Sequence, residues 1–117
     1  MDDKEIILNT AVINDLTEII GDDLIEIYDE FNTSSVSSFE TAYTALSNKD
    51  YDQLCTIIHS MKGSAGNIGL ELLSNKCHAF ESSLRNHDDI DHEQILSSIE
   101  QTFKNSINAL AEKGLLS

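Results

Sequence analysis

Residues 24–46 read LIEIYDEFNTSSVSSFETAYTAL, and their apolar and small positions recur at one interval. Leu24, Ile27, Tyr28, Phe31, Ser35, Ser38, Phe39, Ala42, Ala45 and Leu46 fall on a single stripe of 3.6-residue period, the pattern of a helix with one buried face. With Asp22 or Asp23 as its cap, this helix is expected to run from about 23 to 47 and to break at Asn48 to Asp50. Its middle, Asn32 to Ser38, is rich in Ser and Thr, which are weak helix formers, so packing must hold it.

The flanks repeat the pattern. Upstream, behind an acidic lead from Met1 to Glu5, Val12, Leu16, Ile19 and Ile20 predict a short helix over 11–20, with Asn9 or Thr10 as N-cap and Gly21 as its stop. Downstream, Asp50 with Gln53 three residues on opens a helix bearing Leu54, Ile57, Ile58, Met61, Ala65 and Ile68, closed by Gly69. Leu73, Cys77, Phe80 and Leu84 stripe a fourth helix that fades at Asn86 and His87. Asp91, followed by Gln94 and flanked by Ile90 facing Ile95, starts a fifth. Its stripe is Ile95, Ile99, Phe103, Ser106, Ile107 and Leu110, and it ends at Lys113-Gly114. Long amphipathic helices joined by short loops describe an all-α fold: an antiparallel up-down four-helix bundle with a short additional N-terminal helix, residues 1–117 forming one domain. The absence of proline from all 117 residues fits a chain that is mostly helix interior.

Charge narrows the function. Seven Lys and Arg stand against 21 Asp and Glu, a formal net charge of −14. Such a chain repels nucleic acid and anionic membrane surfaces, which need a cationic stripe. No run of about 18 apolar residues and no leader pattern is present, so a cytoplasmic location is expected, with Cys55 and Cys77 as reduced thiols. The segment from His87 to His92 mixes imidazoles and carboxylates, but its spacing fits neither a calcium loop nor a helical zinc motif, and no metal site is expected. No Gly-rich nucleotide loop, Ser-His-Asp grouping or carboxylate pair stands out.

The third helix breaks its own local rules. Gly63 and Gly66 lie inside it, where each costs about 1 kcal/mol relative to Ala. At about 100° per residue, with His59 at 0°, Gly63 falls near 40°, Gly66 near 340°, Cys55 near 320° and Lys62 near 300°. Leu54, Ile58, Met61 and Ala65 gather on the opposite side, at about 200° to 260°. His59 therefore faces away from the core, beside a surface shaved by two glycines, with Lys62 on the adjacent edge. An exposed imidazole is nucleophilic near neutral pH, and a cation next to it suits a transferred phosphoryl group.

The run His59-Ser-Met-Lys-Gly-Ser-Ala-Gly-Asn-Ile-Gly69 resembles the signature of the histidine-containing phosphotransfer (HPt) domain of multistep two-component signalling. The similarity extends over nearly the whole chain, through Phe31, the Asn-Lys-Asp turn and Cys77-His-Ala-Phe-Glu81. Ile58, where relatives often carry Ala, departs from the pattern on the core side. The resemblance implies that His59 is the phosphorylated residue, that Lys62 neutralises the phosphate, and that Gly63 and Gly66 admit the partner. Ser64 and Asn67 match motif positions, and Cys55 would line the docking rim. Glu81 matches a position where related domains place a group that hydrogen-bonds the active imidazole, and His78 could join that network.

By the same resemblance the chain is a phosphocarrier without kinase activity of its own. It would take a phosphoryl group from a receiver-domain phospho-aspartate and pass it to another receiver. Its partners would be receiver domains of response regulators and a hybrid histidine kinase, the protein would act as a monomer, and Mg²⁺ would come from the receiver. Met1 and the ending after Gly114 favour a free-standing protein over a piece of a larger kinase. The alternative class is an acidic helical adaptor that has kept the bundle and lost transfer. Charge placement suits the carrier: residues 54–80 contain one acid, Glu71, and two bases, Lys62 and Lys76, a near-neutral window in an acidic chain.

Overall fold

Helices begin where the sequence offers an acceptor for their unpaired N–H groups. In the computed structural model, which describes residues 6–117, Asn9 Oδ1 accepts from the Val12 N–H at 3.2 Å and starts α1, Thr10–Ile20. Asp50 Oδ1 accepts from Gln53 at 3.1 Å and starts α3, Tyr51–Asn67; Asp91 Oδ1 accepts from Gln94 at 3.0 Å and starts α5, His92–Glu112. The expected acidic lead, Met1 to Glu5, lies outside the described residues.

Two helices start without such a cap. α2, Asp23–Ser47, follows Asp22, whose backbone is already helical and whose side chain makes no capping bond. The tight Gly21-Asp22 turn between α1 and α2 leaves no extended residue there to act as a cap, contrary to the sequence expectation. α4, Glu71–Arg85, follows Leu70, a fully buried residue with no polar side chain to offer.

Packing holds the Ser- and Thr-rich middle of α2, while hydroxyls in and just beyond it bond the helix's own backbone. Thr33 and Thr41 donate to carbonyls one turn back, at 3.1 and 3.2 Å, and Ser34 to Phe31 at 3.3 Å. Phe31 and Phe39, which flank this stretch, pack on Phe103 of α5 with ring centroids 6.1 and 5.4 Å apart. Burial of side chains such as these contributes on the order of 1.5–3 kcal/mol each.

All five elements described are α-helices, and α2 to α5 form a closed ring in which α3 packs most extensively on α4 and α2 closes on α5. This is the expected bundle, with α1 laid against α2. The buried face of α3 is Leu54, Ile58, Met61 and Ala65, and that of α4 includes Leu73, Cys77, Phe80 and Leu84, as the spacing predicts.

Two faces differ from expectation. In α1 the buried residue is Ile13, while Ile19 is 81% exposed. In α5, Leu96 and Thr102 are buried and Ile95 and Ile107 only partly so, which rotates the stripe; the Thr102 and Ser106 hydroxyls are satisfied by carbonyls one turn back.

The α3–α4 junction determines how those two helices align. Gly69 has φ +85°, and a Cβ there would meet Ile13 Cγ1 at 2.9 Å, so glycine is required on both counts. The Gly69 carbonyl accepts from Asn9 N–H at 2.7 Å, and the Tyr28 hydroxyl donates to the Ile68 carbonyl at 2.7 Å. α1 and α2 thereby fasten the C-terminal end of α3.

Candidate functional site

His59 stands mid-way along α3 with its side chain 58% exposed, facing away from the core as the helical angle requires. Across the α3–α4 contact, Glu81 is buried on α4. Its Oε2 lies 2.7 Å from His59 Nδ1, and its Oε1 accepts from Lys62 Nζ at 2.6 Å. Arg85, one turn further along α4, donates to the same Oε2 from Nε at 3.1 Å and from Nη2 at 2.7 Å.

These cations hold the Glu81 carboxyl down to about 2. The Lys62 hydrogen bond is the largest cause, burial opposes it, and the Arg85 and His59 bonds add to it. Arg85 is raised in turn, chiefly by its hydrogen bond to Glu81. An ionised carboxylate can only accept, so the proton between Glu81 and a neutral His59 sits on Nδ1. The Nε2 lone pair is then left free on an exposed ring. That tautomer-fixing arrangement is the one by which a carboxylate orients the histidine of a catalytic triad.

The structure thus brings His59, Lys62 and Glu81 together. His78 is exposed on α4 and takes no part in the hydrogen bonds around Glu81; Arg85 completes the cluster in its stead. Arg85 escaped the sequence reading, although a basic residue four positions after Glu81 in the last turn of a helix is a recognisable ion-pair spacing.

The glycines differ from each other. Gly63 has nothing within 4 Å of where its Cβ would be, which leaves the surface beside His59 open. Gly66 backs onto Ser74 of α4, so it serves helix packing as well as any shaved face. Cys55, partly buried, lines an open groove with Tyr51, Asp52, Leu84, Arg85 and His87. Ser64 is exposed and lines a second groove between α2 and α3 with Phe31, Ser35, Ser60 and Met61. Asn67 is the exposed last residue of α3, apart from the Glu81 cluster.

The sequence model of the Hpt domain matches residues 26–113, a span that contains every residue of this cluster. The chain belongs to the Hpt domain family. Members are phosphotransfer domains of phosphorelays, typically phosphocarriers, that interact with receiver domains and kinases. The fold of this Hpt domain is similar to the crystal structure of histidine-containing phosphotransfer protein B (HptB) from Pseudomonas aeruginosa PAO1, with a TM-score of 0.87 and 24% identity over 93% of this chain and 95% of that one. At that identity the likeness bears on fold alone. No curated protein matches the sequence. Among the described residues of this Hpt domain, no three His, Cys, Asp or Glu gather as a metal cluster, and no helix is long and apolar enough to cross a membrane.

Proposed function

We propose that His59 Nε2 accepts a phosphoryl group from the phospho-aspartate of one receiver domain and passes it to the aspartate of another. The observation that carries this reading is the 2.7 Å contact between His59 Nδ1 and buried Glu81, which leaves the exposed Nε2 with its lone pair. As Nε2 attacks phosphorus, the N–P bond forms, the acyl P–O bond breaks, and the aspartate carboxylate leaves with the electron pair. The ring keeps its Nδ1 proton and becomes cationic, next to a carboxylate already ionised. No proton has to be expelled.

Lys62 neutralises the phosphoryl oxygens, and Gly63 lets the receiver backbone approach, with Cys55, Ser64, Gly66 and Asn67 at the docking rim. Mg²⁺ and the acyl-phosphate chemistry belong to the receiver, so this chain acts as a carrier, as a monomer and in the cytoplasm. A hybrid histidine kinase would stand upstream.

The test is to incubate the protein with a phosphorylated receiver and compare wild type with His59→Gln. An acid-labile, base-stable phosphate on wild type alone is expected. A receiver that binds and transfers nothing would favour the adaptor instead.

A further inference from the structure

The two oxygens of Glu81 have different occupants. Oε1 is held by Lys62 alone, whereas Oε2 is shared by His59 Nδ1 and both Nε and Nη2 of Arg85. The carboxylate is therefore pinned on the imidazole side and releasable on the lysine side. Lys62 and Arg85 also differ in what they can do. A lysine ammonium is a point charge on a flexible stem, free to turn to a new anion; a guanidinium with two N–H groups on one oxygen fixes that oxygen in direction as well as distance.

Charge counting gives the two cations separate tasks. With His59 neutral, Glu81, Lys62 and Arg85 sum to one positive charge. A phosphoryl group on Nε2 with the Nδ1 proton retained adds one negative charge, which brings the four groups to neutrality. If Lys62 turns to the phosphoryl oxygens, the buried Glu81 loses the donor on Oε1, and Arg85 alone remains to compensate it beside the ring. Without Arg85, the same movement would leave the buried carboxylate with the phosphorylated ring as its one remaining partner in the cluster, and nothing else to fix the direction of Oε2.

We infer that Arg85 is a positioning residue of the phosphotransfer site: it locks Glu81 Oε2 onto His59 Nδ1, so that Lys62 can exchange between Glu81 and the phosphoryl group. This rests on the reading of His59 as the phosphoryl acceptor. Arg85 acts through Glu81, from the last turn of α4, with its own side chain 61% exposed. Its outward face is thus available to solvent or a docked receiver, while its inner face carries the clamp.

The experiment compares wild type, Arg85→Lys and Arg85→Gln in the full chain. The first readout is the ¹⁵N spectrum of the His59 ring in unphosphorylated protein, which reports the tautomer and needs no receiver. The second is the rate of phosphoryl acceptance from a phosphorylated receiver and the lifetime of the phosphohistidine. Helical circular dichroism and the unfolding midpoint establish that each variant is folded.

Arg85→Gln is expected to lower the Nδ1–H tautomer fraction and to slow acceptance roughly tenfold, the effect of about 1.4 kcal/mol on a barrier. Arg85→Lys should recover part of the rate, through charge, but not the tautomer fraction, which needs the two-nitrogen clamp. An Arg85→Gln protein with the wild-type ring spectrum and phosphohistidine lifetime would overturn the inference. So would a wild-type rate of acceptance in Arg85→Gln. Failure of the underlying reading is seen separately: wild type itself would take no phosphate, whatever the ring spectra show.

Discussion

Gly66 of α3 and Ser74 of α4 compete for one space: a Cβ on residue 66 would lie 3.1 Å from Ser74 Oγ, which itself donates to the Lys62 carbonyl at 3.0 Å. Gly63, one turn earlier, meets nothing within 4 Å. Gly63→Ala is therefore expected to raise stability by about 1 kcal/mol through helix propensity alone. Gly66→Ala should gain less, because Ser74 must give way, and should gain more in a Ser74→Ala background. Denaturant titration of the four variants checks this; equal gains at 66 in both backgrounds would remove Ser74 from the account. Gly63→Leu should stay folded and lose receiver docking.

Acid should weaken the Glu81 cluster only as its lowered carboxyl protonates. Glu81 sits at about 2 in the folded chain against an ordinary 4.5. A lowered folded value gives stability that is complete above about pH 4.5 and lost as pH falls toward 2. The stability gap between wild type and Glu81→Gln should therefore close across that window, followed by urea midpoints from pH 6 to pH 2.

Base acts on different groups. Burial raises Tyr28 from 10.0 to about 12, and burial aided by the Glu81 charge raises Cys77 from 9.0 to about 12. Their neutral forms support the fold fully below those ordinary values, and that support is lost as pH rises toward 12. Tyr28→Phe should lower stability by about 1 kcal/mol at neutral pH, from the missing bond to the Ile68 carbonyl. Its further loss between pH 9 and 12 should be smaller than in wild type.

Lys62→Ala removes the cation proposed to neutralise the phosphoryl group. Acceptance from a phosphorylated receiver should slow by roughly 10²-fold, as for the loss of one charge-stabilising donor, with the helical spectrum unchanged. An undiminished rate would separate Lys62 from the transfer step.

The caps sort by geometry. Asp50→Ala and Asp91→Ala should each cost about 1 kcal/mol, because both side chains bond a backbone N–H of the first turn. Asp22→Ala, with no such bond, should cost only a few tenths of a kcal/mol, from the helix dipole. Thermal melts of the three variants distinguish the cases.

What could be read from the sequence was local. Leu54, Ile58, Met61 and Ala65 lie within one helix, and periodicity alone places them on one face; the same holds for the position of His59 opposite them. Ile13 and Ile19 could not be sorted that way. Both suit a helix, and the choice is made by a distant residue, Gly69, whose close approach buries Ile13. The site divides similarly. His59, Lys62 and Gly63 sit in one run, while Glu81 was reached only through resemblance. The Arg85–Glu81 pair is a local i,i+4 spacing within α4, but its link to His59, and the place of Ser74, depend on how α4 is set against α3, which no single stretch of sequence encodes.

The imidazole and its carboxylate are 22 positions apart along the chain, and the lysine and the same carboxylate 19. A molecule whose α3 and α4 have parted still carries every one of these side chains but has no oriented nucleophile. In the proposed transfer, reactivity at His59 is in that sense a property of the assembled pair of helices, and the chain would report its own integrity: only intact copies would carry the signal onward.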